Sequence, residues 1–207
     1  MSRLIPASSA TSLSEAAAAL RRGEVIAIPT ETVYGLAVLP NSAALDRLLA
    51  AKRRSAEKGI QLLVDSVDQV EQLAVLTESA RVLADRYWPG PLTIVLVRRQ
   101  DILVPDQLGG GRATLGLRLP DHEVPRALAR QLGPIAASSA NLSGEPDATT
   151  AQRVAESLGD EVGLIIDDGP VRGGTPSTVV DCSDPVAGPR VLREGAISAA
   201  DIAKAVR

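Results

Sequence analysis

Short apolar runs alternate with helix-like segments along the whole chain, and this alternation constrains the fold more than any other feature. Runs such as VIAIP (25–29) and LTIVLV (92–97) have the length of strands. SAALDRLLAAKRR (42–54) instead has the apolar spacing of an amphipathic helix. Strands that alternate with helices predict an α/β domain. Because the connections are too irregular for a doubly wound sheet, we expect a twisted mixed β-sheet flanked by helices, in a single domain over residues 1–207.

The other elements follow from the same patterns and from capping residues. Further strands are predicted at 60–64, 114–120, 134–138, 163–167, 177–181 and 190–192. Helices are predicted to begin at polar capping positions, namely Ser12 with Glu15, Ser66, Thr77, Thr149 with Gln152, and Ser198. The stretches 105–111 and 169–176 are rich in Gly and Pro and are predicted to be loops.

Charge and composition exclude several classes of function. The formal net charge of −3 argues against strong nucleic-acid binding through overall charge. The chain has one cysteine and one histidine, so a disulfide within the chain, a Cys-cluster metal site and a Ser-His-Asp triad are not expected. We expect Cys182 to be a small buried residue and His122 to be a solvated or capping residue at a helix start.

The N-terminal sequence lacks the continuous apolar core of a signal peptide. The apolar runs are far shorter than the ~20 residues needed to span a bilayer. These features predict a cytoplasmic protein with no membrane contact.

PTETVYGLA (29–37) is the most unusual polar segment, because three hydroxyl- or carboxyl-bearing residues follow an apolar strand directly. If the strand continued, Thr30 and Thr32 would share one face and Glu31 would lie on the other. Hydroxyls at a strand end can hold a small polar ligand. A threonine-rich strand with good β-propensity explains the segment equally well, so both interpretations stay open.

KRRSAEK (52–58) clusters four cations around a helix end. Lys52 lies on the same stripe as Leu45 and Leu48, and this stripe faces the core. With Arg54, Lys52 could form a phosphate clamp. The alternative is a solvated basic helix terminus stabilised by the helix dipole.

Three further polar segments come next to predicted strands: SSANLSGEP (138–146), STVVD (177–181) and VLREGAIS (191–198). Loops at strand ends are common ligand sites in α/β proteins, although each segment could also be a polar turn. None of them is decisive alone.

Their order is informative. PTETVYGLA, the K-x-R helix end, WPGPLTIVL, LGLRLPDH, SSANLSGEP, STVVD and VLREGAI follow one another between residues 12 and 198. This series resembles the threonylcarbamoyl-AMP synthase family of YrdC-like domain proteins, in its short single-domain form. The resemblance implies a YrdC-like fold with a concave, positively charged ligand cleft.

The resemblance also implies an activity. Family members condense L-threonine, bicarbonate or CO2, and ATP to threonylcarbamoyl-AMP and pyrophosphate, with Mg²⁺ accompanying the ATP. Downstream transfer proteins then pass the threonylcarbamoyl group to a tRNA adenosine, so we expect contact with tRNA to be weak or indirect. No metal-binding residue is predicted.

Residue roles are carried over by motif. The residues implied to act on the phosphates, and so in catalysis, are Lys52 and Arg54. Those implied to bind threonine are Thr32, Arg118, Ser139 and Ser177. Those implied to bind the nucleotide are Arg54, Lys58, Thr114, Asn141, Ser143, Thr149 and Arg193.

Three positions depart from the family pattern. Gly59-Ile60 stands where a Pro-Leu pair is usual, and Glu194 stands where proline is usual. Leu63 holds the place of a histidine that faces threonine in many members, which would remove a polar group from the pocket. The departures leave two alternatives open: a divergent paralogue that uses another amino acid, or a non-catalytic RNA-binding module of the same fold.

Overall fold

The structure is a computed structural model that describes residues 2–207. Its strands are β1 (Arg3–Pro6), β2 (Ile26–Ile28), β3 (Gly35–Val38), β4 (Gln61–Leu63), β5 (Leu92–Val97), β6 (Thr114–Arg118), β7 (Ile135–Ser139), β8 (Leu164–Asp167), β9 (Thr178–Asp181) and β10 (Arg190–Arg193). Its helices are α1 (Ser12–Arg21), α2 (Ser42–Lys52), α3 (Val67–Leu73), α4 (Glu78–Tyr87), α5 (Asp106–Gly109), α6 (Glu123–Leu132), α7 (Ala151–Leu158) and α8 (Ala199–Ala205), with a 3-10 turn at Ala56–Lys58.

All of these strands join one ten-stranded sheet in the order β1-β8-β2-β3-β7-β4-β6-β5-β9-β10. The pairs β1–β8, β2–β8, β4–β6 and β5–β9 are parallel. The pairs β2–β3, β3–β7, β4–β7, β5–β6 and β9–β10 are antiparallel. The sheet is therefore mixed, as the irregular connections predict.

The two faces of the sheet are covered unequally. On one face, strand residues such as Leu36, Leu62 and Leu117 pack against α2, α4 and α7 in a large buried apolar cluster. On the other face, a second cluster packs α1 and α6 against residues such as Ile28 and Ile135. That second cluster covers the half of the sheet around β8, β2, β3 and β7. The rest of the face is therefore left as the floor of a cleft.

Two strands were not predicted. β1 is a short edge strand that pairs only with β8, so it lacks the apolar run of a central strand. β3 begins at Gly35 within PTETVYGLA and ends at Val38, and the loop 29–34 separates it from β2. The predicted loop at 105–111 likewise contains the one-turn helix α5.

Two predicted helix caps were wrong. Thr11, not Ser12, is the residue before α1, because the Ser12 hydroxyl donates instead to the Ala7 carbonyl at 2.9 Å. Thr150, not Thr149, caps α7 and accepts from the Arg153 N–H at 3.2 Å. The predicted caps Ser66, Thr77 and Ser198 are confirmed, each accepting a backbone N–H of its helix.

The two residues with potential for nucleophilic or acid–base chemistry have structural roles. His122 caps α6, where its Nδ1 accepts from the Val124 N–H at 3.2 Å, and burial lowers its pKa. Cys182 is buried, and burial raises the pKa of its thiol to about 12. Both shifts favour the neutral side chain, the thiol of Cys182 and the uncharged imidazole of His122. Between residues 2 and 207, none of the helices combines the length and the apolarity required to cross a bilayer.

Candidate functional site

A cleft of about 540 Å³ lies over the uncovered half of the sheet. Its floor includes a row of residues that are neighbours across five strands: Ala137, Gln61, Gly116, Val95 and Asp181. A Cβ atom added to Gly116 would lie 3.4 Å from the Thr93 Cγ2 atom. Glycine therefore keeps the middle of the floor open for a ligand.

Cations dominate the charge of this cleft. Among the described residues, its lining includes one carboxylate, Asp181, and these cationic side chains: Arg54, Lys58, Arg112, Arg118, Arg190 and Arg193. Burial, followed by repulsion from Arg193, lowers the pKa of Arg54. Burial also lowers the pKa of Arg193; Asp147 opposes this shift and Arg118 adds to it. Such crowding of like charges favours the binding of an anion. Residues 2–207 contain no group of three or more His, Cys, Asp or Glu side chains placed to hold a metal ion.

Arg118 ends β6 at one side of the cleft and is 3% exposed. Its Nε donates to the Gly90 carbonyl at 3.2 Å, and its Nη2 donates to Glu31 Oε1 at 2.7 Å and to Thr32 Oγ1 at 3.0 Å. No hydrogen bond from Nη1 to residues 2–207 is present. The guanidinium is thus held rigidly while one amino group remains for a ligand carboxylate.

The segment before β3 explains this arrangement and corrects an expectation. Residues 29–34 form a turn, not a strand, because Thr30 Oγ1 donates to the Val33 carbonyl at 2.6 Å and accepts the Thr32 and Val33 N–H groups. The expected alternation of Glu31 against Thr32 is therefore wrong. Both side chains reach the same guanidinium.

A row of polar groups crosses the cleft floor from β10 to β4. Arg193 Nη2 donates to the Ser177 carbonyl at 2.8 Å and lies 3.4 Å from Ser177 Oγ. Ser177 Oγ is 2.9 Å from Thr93 Oγ1, which donates to Gln61 Oε1 at 2.8 Å. Gln61 and Thr93 were missed from the sequence, although a lone glutamine within the apolar run 60–64 was a usable signal.

Lys52 holds the loop that follows β7. It is 2% exposed, and its Nζ donates to the Ser139 carbonyl, to the Asn141 carbonyl at 2.7 Å and to Asn141 Oδ1 at 2.9 Å. Burial, followed by repulsion from Arg54, lowers its pKa to about 8. All three N–H donors are engaged within the protein, so the predicted contact of Lys52 with phosphate stays a prediction.

The predicted site residues fall into three groups. The cleft lining contains Arg54, Lys58, Thr114, Arg118, Ser139, Ser177 and Arg193. Directly behind that lining, in hydrogen-bond contact with it, lie Thr32 and Asn141. Ser143 and Thr149 lie outside it: the Ser143 N–H donates to the Lys52 carbonyl, and the Thr149 carbonyl accepts from the Val171 N–H. The nucleotide roles of Ser143 and Thr149 stay predictions.

The departures from the family pattern have local structural causes. Leu63 does not line the cleft, because it is 1% exposed in the cluster beneath α1 and α6. Gly59 has a φ of +63°, which proline cannot adopt. Glu194 Oε2 accepts the Ala199 N–H at 2.8 Å, in the first turn of α8. The effect of having leucine instead of histidine at position 63 on the substrate stays a prediction.

Comparisons with known proteins agree with this geometry. The sequence is 42% identical to a threonylcarbamoyl-AMP synthase of Bacillus subtilis, over 90% of this chain and 54% of that protein. It is 38% identical to a putative threonylcarbamoyl-AMP synthase of Mycobacterium tuberculosis H37Rv, over 91% of this chain and 86% of that protein. The chain thus spans about half the length of its Bacillus relative and most of its mycobacterial one.

The fold is also similar to that of a solved structure. The chain superposes on P. abyssi Sua5 complexed with L-threonine with a TM-score of 0.86 and 40% sequence identity, over 93% of this chain and 56% of that one. The sequence profile of Sua5, YciO and YrdC, described as "Telomere recombination", matches residues 18–195. Since this match covers most of the sequence, the chain belongs to the Sua5/YciO/YrdC family.

Proposed function

We propose that this protein is an L-threonylcarbamoyladenylate synthase, an enzyme of the nucleotidyltransferase class. It would condense L-threonine, bicarbonate or CO2, and ATP to threonylcarbamoyl-AMP and pyrophosphate. The names of its relatives and the threonine complex of P. abyssi Sua5 support this proposal. The observation that carries it is the cleft itself, which has a rigid guanidinium with one free amino group at Arg118 and further crowded cations elsewhere in its lining.

Threonine would bind at the Arg118 end of the cleft. The free Nη1 of Arg118 can take the substrate carboxylate, while Nη2 stays bound to Glu31 and Thr32. The hydroxyls of Thr32, Ser139 and Ser177 are the nearby groups for the threonine amine and hydroxyl. This arrangement holds the amine in a fixed place, which lowers the entropic cost of its reaction.

ATP would bind over the cations of the remaining lining. Arg54 has a buried Nε without a hydrogen-bond partner, and Arg54, Lys58 and Arg193 can together neutralise phosphate charge. Thr114, Asn141, Ser143 and Thr149 are proposed to surround the rest of the nucleotide, and Lys52 to order the loop beside it. Mg²⁺ would arrive with ATP as part of that substrate.

The chemistry needs no nucleophile from the protein. The threonine amine attacks CO2 and loses a proton, which forms a carbamate. A carbamate oxygen then attacks the α-phosphorus in line, and pyrophosphate leaves with the electron pair of the broken P–O bond. Charge neutralisation and positioning are the tasks left to the side chains, and cations with hydroxyls suit both.

The product would be consumed by threonylcarbamoyl-transfer proteins that modify a tRNA adenosine. Since the net charge of the chain is −3, we propose that tRNA is bound by those proteins and only weakly, or not at all, by this one. ATP, bicarbonate and tRNA occur together in the cytoplasm, where we place the reaction.

The test is pyrophosphate release from ATP with a panel of amino acids, with and without bicarbonate. The proposal predicts release that requires both L-threonine and bicarbonate. Release with another amino acid would point to a divergent substrate. No release with any amino acid, together with binding of RNA, would overturn the enzymatic assignment.

A further inference from the structure

Gln61 lies next to the middle of the cleft floor. It lies beside Gly116 on β6, which is two residues from Arg118 on one side and two residues from Thr114 on the other. With a rise of about 3.3 Å per residue, Gln61 is roughly one side-chain row, about 7 Å, from each. The proposed function puts threonine at Arg118 and the nucleotide at Thr114. Gln61 therefore lies where the two substrates would be joined.

The polar row on the cleft floor ends at the oxygen of the Gln61 side-chain amide. Arg193 is an obligate donor, so it can only give hydrogen bonds to Ser177. The Thr93 hydroxyl donates to Gln61 Oε1, so it must accept from Ser177 Oγ. Every bond in the row then runs from the guanidinium towards Gln61 and ends on its carbonyl oxygen. This direction leaves the amide N–H groups of Gln61 unused.

The surroundings turn those N–H groups towards ligand. Gln61 lines the cleft, and the hydrogen bond that its side chain makes within residues 2–207 goes to Oε1 and not to the amide nitrogen. Its neighbours in the same row are small, with Ala137 on β7 and Gly116 on β6. A neutral donor thus projects from the floor between groups of cations, at a place where neither substrate's full negative charge would lie.

We propose that the Gln61 side-chain amide donates a hydrogen bond to the carbonyl oxygen of the carbamoyl group that links threonine to the nucleotide. This inference rests on the proposed function and adds to it a substrate-contacting residue. When the amine attacks CO2, electron density moves onto the two oxygens. One oxygen goes on to attack the α-phosphorus, and the other is the oxygen that Gln61 would hold. The amide supplies no proton and forms no covalent bond.

The test compares two ligands that differ in that carbonyl, L-threonine and N-carbamoyl-L-threonine, by calorimetric titration of the full chain. Gln61→Met keeps the length of the side chain and removes the donor. We expect it to weaken binding of N-carbamoyl-L-threonine about tenfold, the loss of one hydrogen bond, and to leave L-threonine within twofold. Gln152→Met, at an exposed position of α7, is the matched control and should change neither affinity.

Each other result decides against the inference. Equal losses for both ligands would make Gln61 part of the threonine pocket or of the fold, and a melting temperature would separate these two. If neither ligand binds more weakly, or if the unmodified chain does not bind N-carbamoyl-L-threonine, then Gln61 does not contact the carbamoyl oxygen. If the unmodified chain releases no pyrophosphate, the proposed function fails, while the two titrations still decide the role of Gln61.

Discussion

At the scale of the residue, Arg118 holds two segments of the chain together and is also the residue proposed to bind the threonine carboxylate. Its Nε binds the Gly90 carbonyl just before β5, its Nη2 binds Glu31 and Thr32 in the turn before β3, and its Nη1 is the nitrogen proposed to bind the ligand carboxylate. Glu31 Oε1 forms a buried ion pair with Arg118 at 2.7 Å, while Glu31 Oε2 is buried without a hydrogen-bond partner. A guanidinium can serve both purposes because its donors lie in a fixed planar fork.

Arg118→Lys keeps the positive charge but loses the planar set of donors. A single ammonium group cannot bind Glu31 and the ligand carboxylate with the geometry of the guanidinium. We expect the threonine concentration for half-saturation to rise tenfold or more, which corresponds to ~1.4 kcal/mol or more. ATP affinity measured without threonine should stay within twofold. Arg126→Lys, which alters a guanidinium of α6 bound to Asp65, is the control. A variant that binds threonine normally would show that the carboxylate lies elsewhere.

Lys52 gives a pH dependence with a defined sign. Its folded pKa is lowered by burial to about 8, whereas the unfolded chain keeps the proton up to about 10.5. Between these values the unfolded state binds more protons, so the free energy of unfolding should rise with pH in that window. Relative to Lys52→Met, we expect the wild type to gain up to ~3 kcal/mol between pH 7.5 and 10.5.

Urea denaturation of both proteins across that range measures the effect. Lys204→Met, at an exposed position of α8, is the matched control for loss of a lysine. A constant difference between wild type and Lys52→Met would mean that Lys52 keeps its proton throughout, and that its three acceptors compensate for burial.

At the scale of the element, the position of α6 decides how much of the sheet remains open. Asp65 follows β4 and binds two arginines of α6: Oδ1 accepts from Arg126 at 3.0 Å, and both oxygens accept from Arg130 at 2.9 Å. Burial of Asp65 raises its pKa, but the hydrogen bonds from both arginines outweigh it and lower the pKa overall. This network fixes the helix against the end of β4, next to the border of the cleft.

Asp65→Asn should lower the free energy of unfolding at pH 7 by about 1 kcal/mol, the upper range for a partly exposed ion pair. Because the folded carboxyl has a lowered pKa, its stabilisation is present at neutral pH and is lost as the pH falls below about 3.8. The difference between the two proteins in denaturant titrations should therefore disappear in acid. Asp101→Asn, which breaks an exposed pair with Arg99, should have a smaller effect. A difference that persists at low pH would assign the loss to packing.

At the scale of the whole molecule, the charge of the cleft is opposite in sign to the net charge of the chain. The chain has a net charge of −3, yet cations outnumber carboxylates six to one among the charged residues that line the cleft. The negative charge therefore lies mainly on the outer surface. Such a distribution concentrates anionic ligands at one place without making the whole protein attractive to nucleic acid.

ATP binding should depend strongly on salt, because several cleft cations would meet its phosphates. Raising the ionic strength from about 0.1 M to about 1 M shortens the Debye length from ~10 Å to ~3 Å. We expect ATP affinity to fall about tenfold or more over this range, and adenosine affinity to stay within twofold. Equal salt dependence of the two ligands would place the phosphates outside the cationic lining.

Much of the molecule follows from local sequence. Apolar runs of strand length predict eight of the strands, and the capping residues Ser66, Thr77 and Ser198 mark helix starts correctly, because each depends on contacts within a few residues. The polar segments that line the cleft were also visible as hydroxyls and cations at the ends of apolar runs. The hydroxyl and cationic groups of these segments can be read from the residue types alone.

The tertiary structure decided which of these side chains meet. Gln61 and Leu63 share one face of β4, yet Gln61 lies in the cleft and Leu63 lies in the core. Periodicity shows that two residues share a face, but only the packing of α1 and α6 determines where on that face the cover ends. In the same way, a turn closed by Thr30 brings Glu31 to Arg118, 87 positions away in the sequence. Contacts of this kind depend on the long-range packing of elements, and no local pattern contains that information.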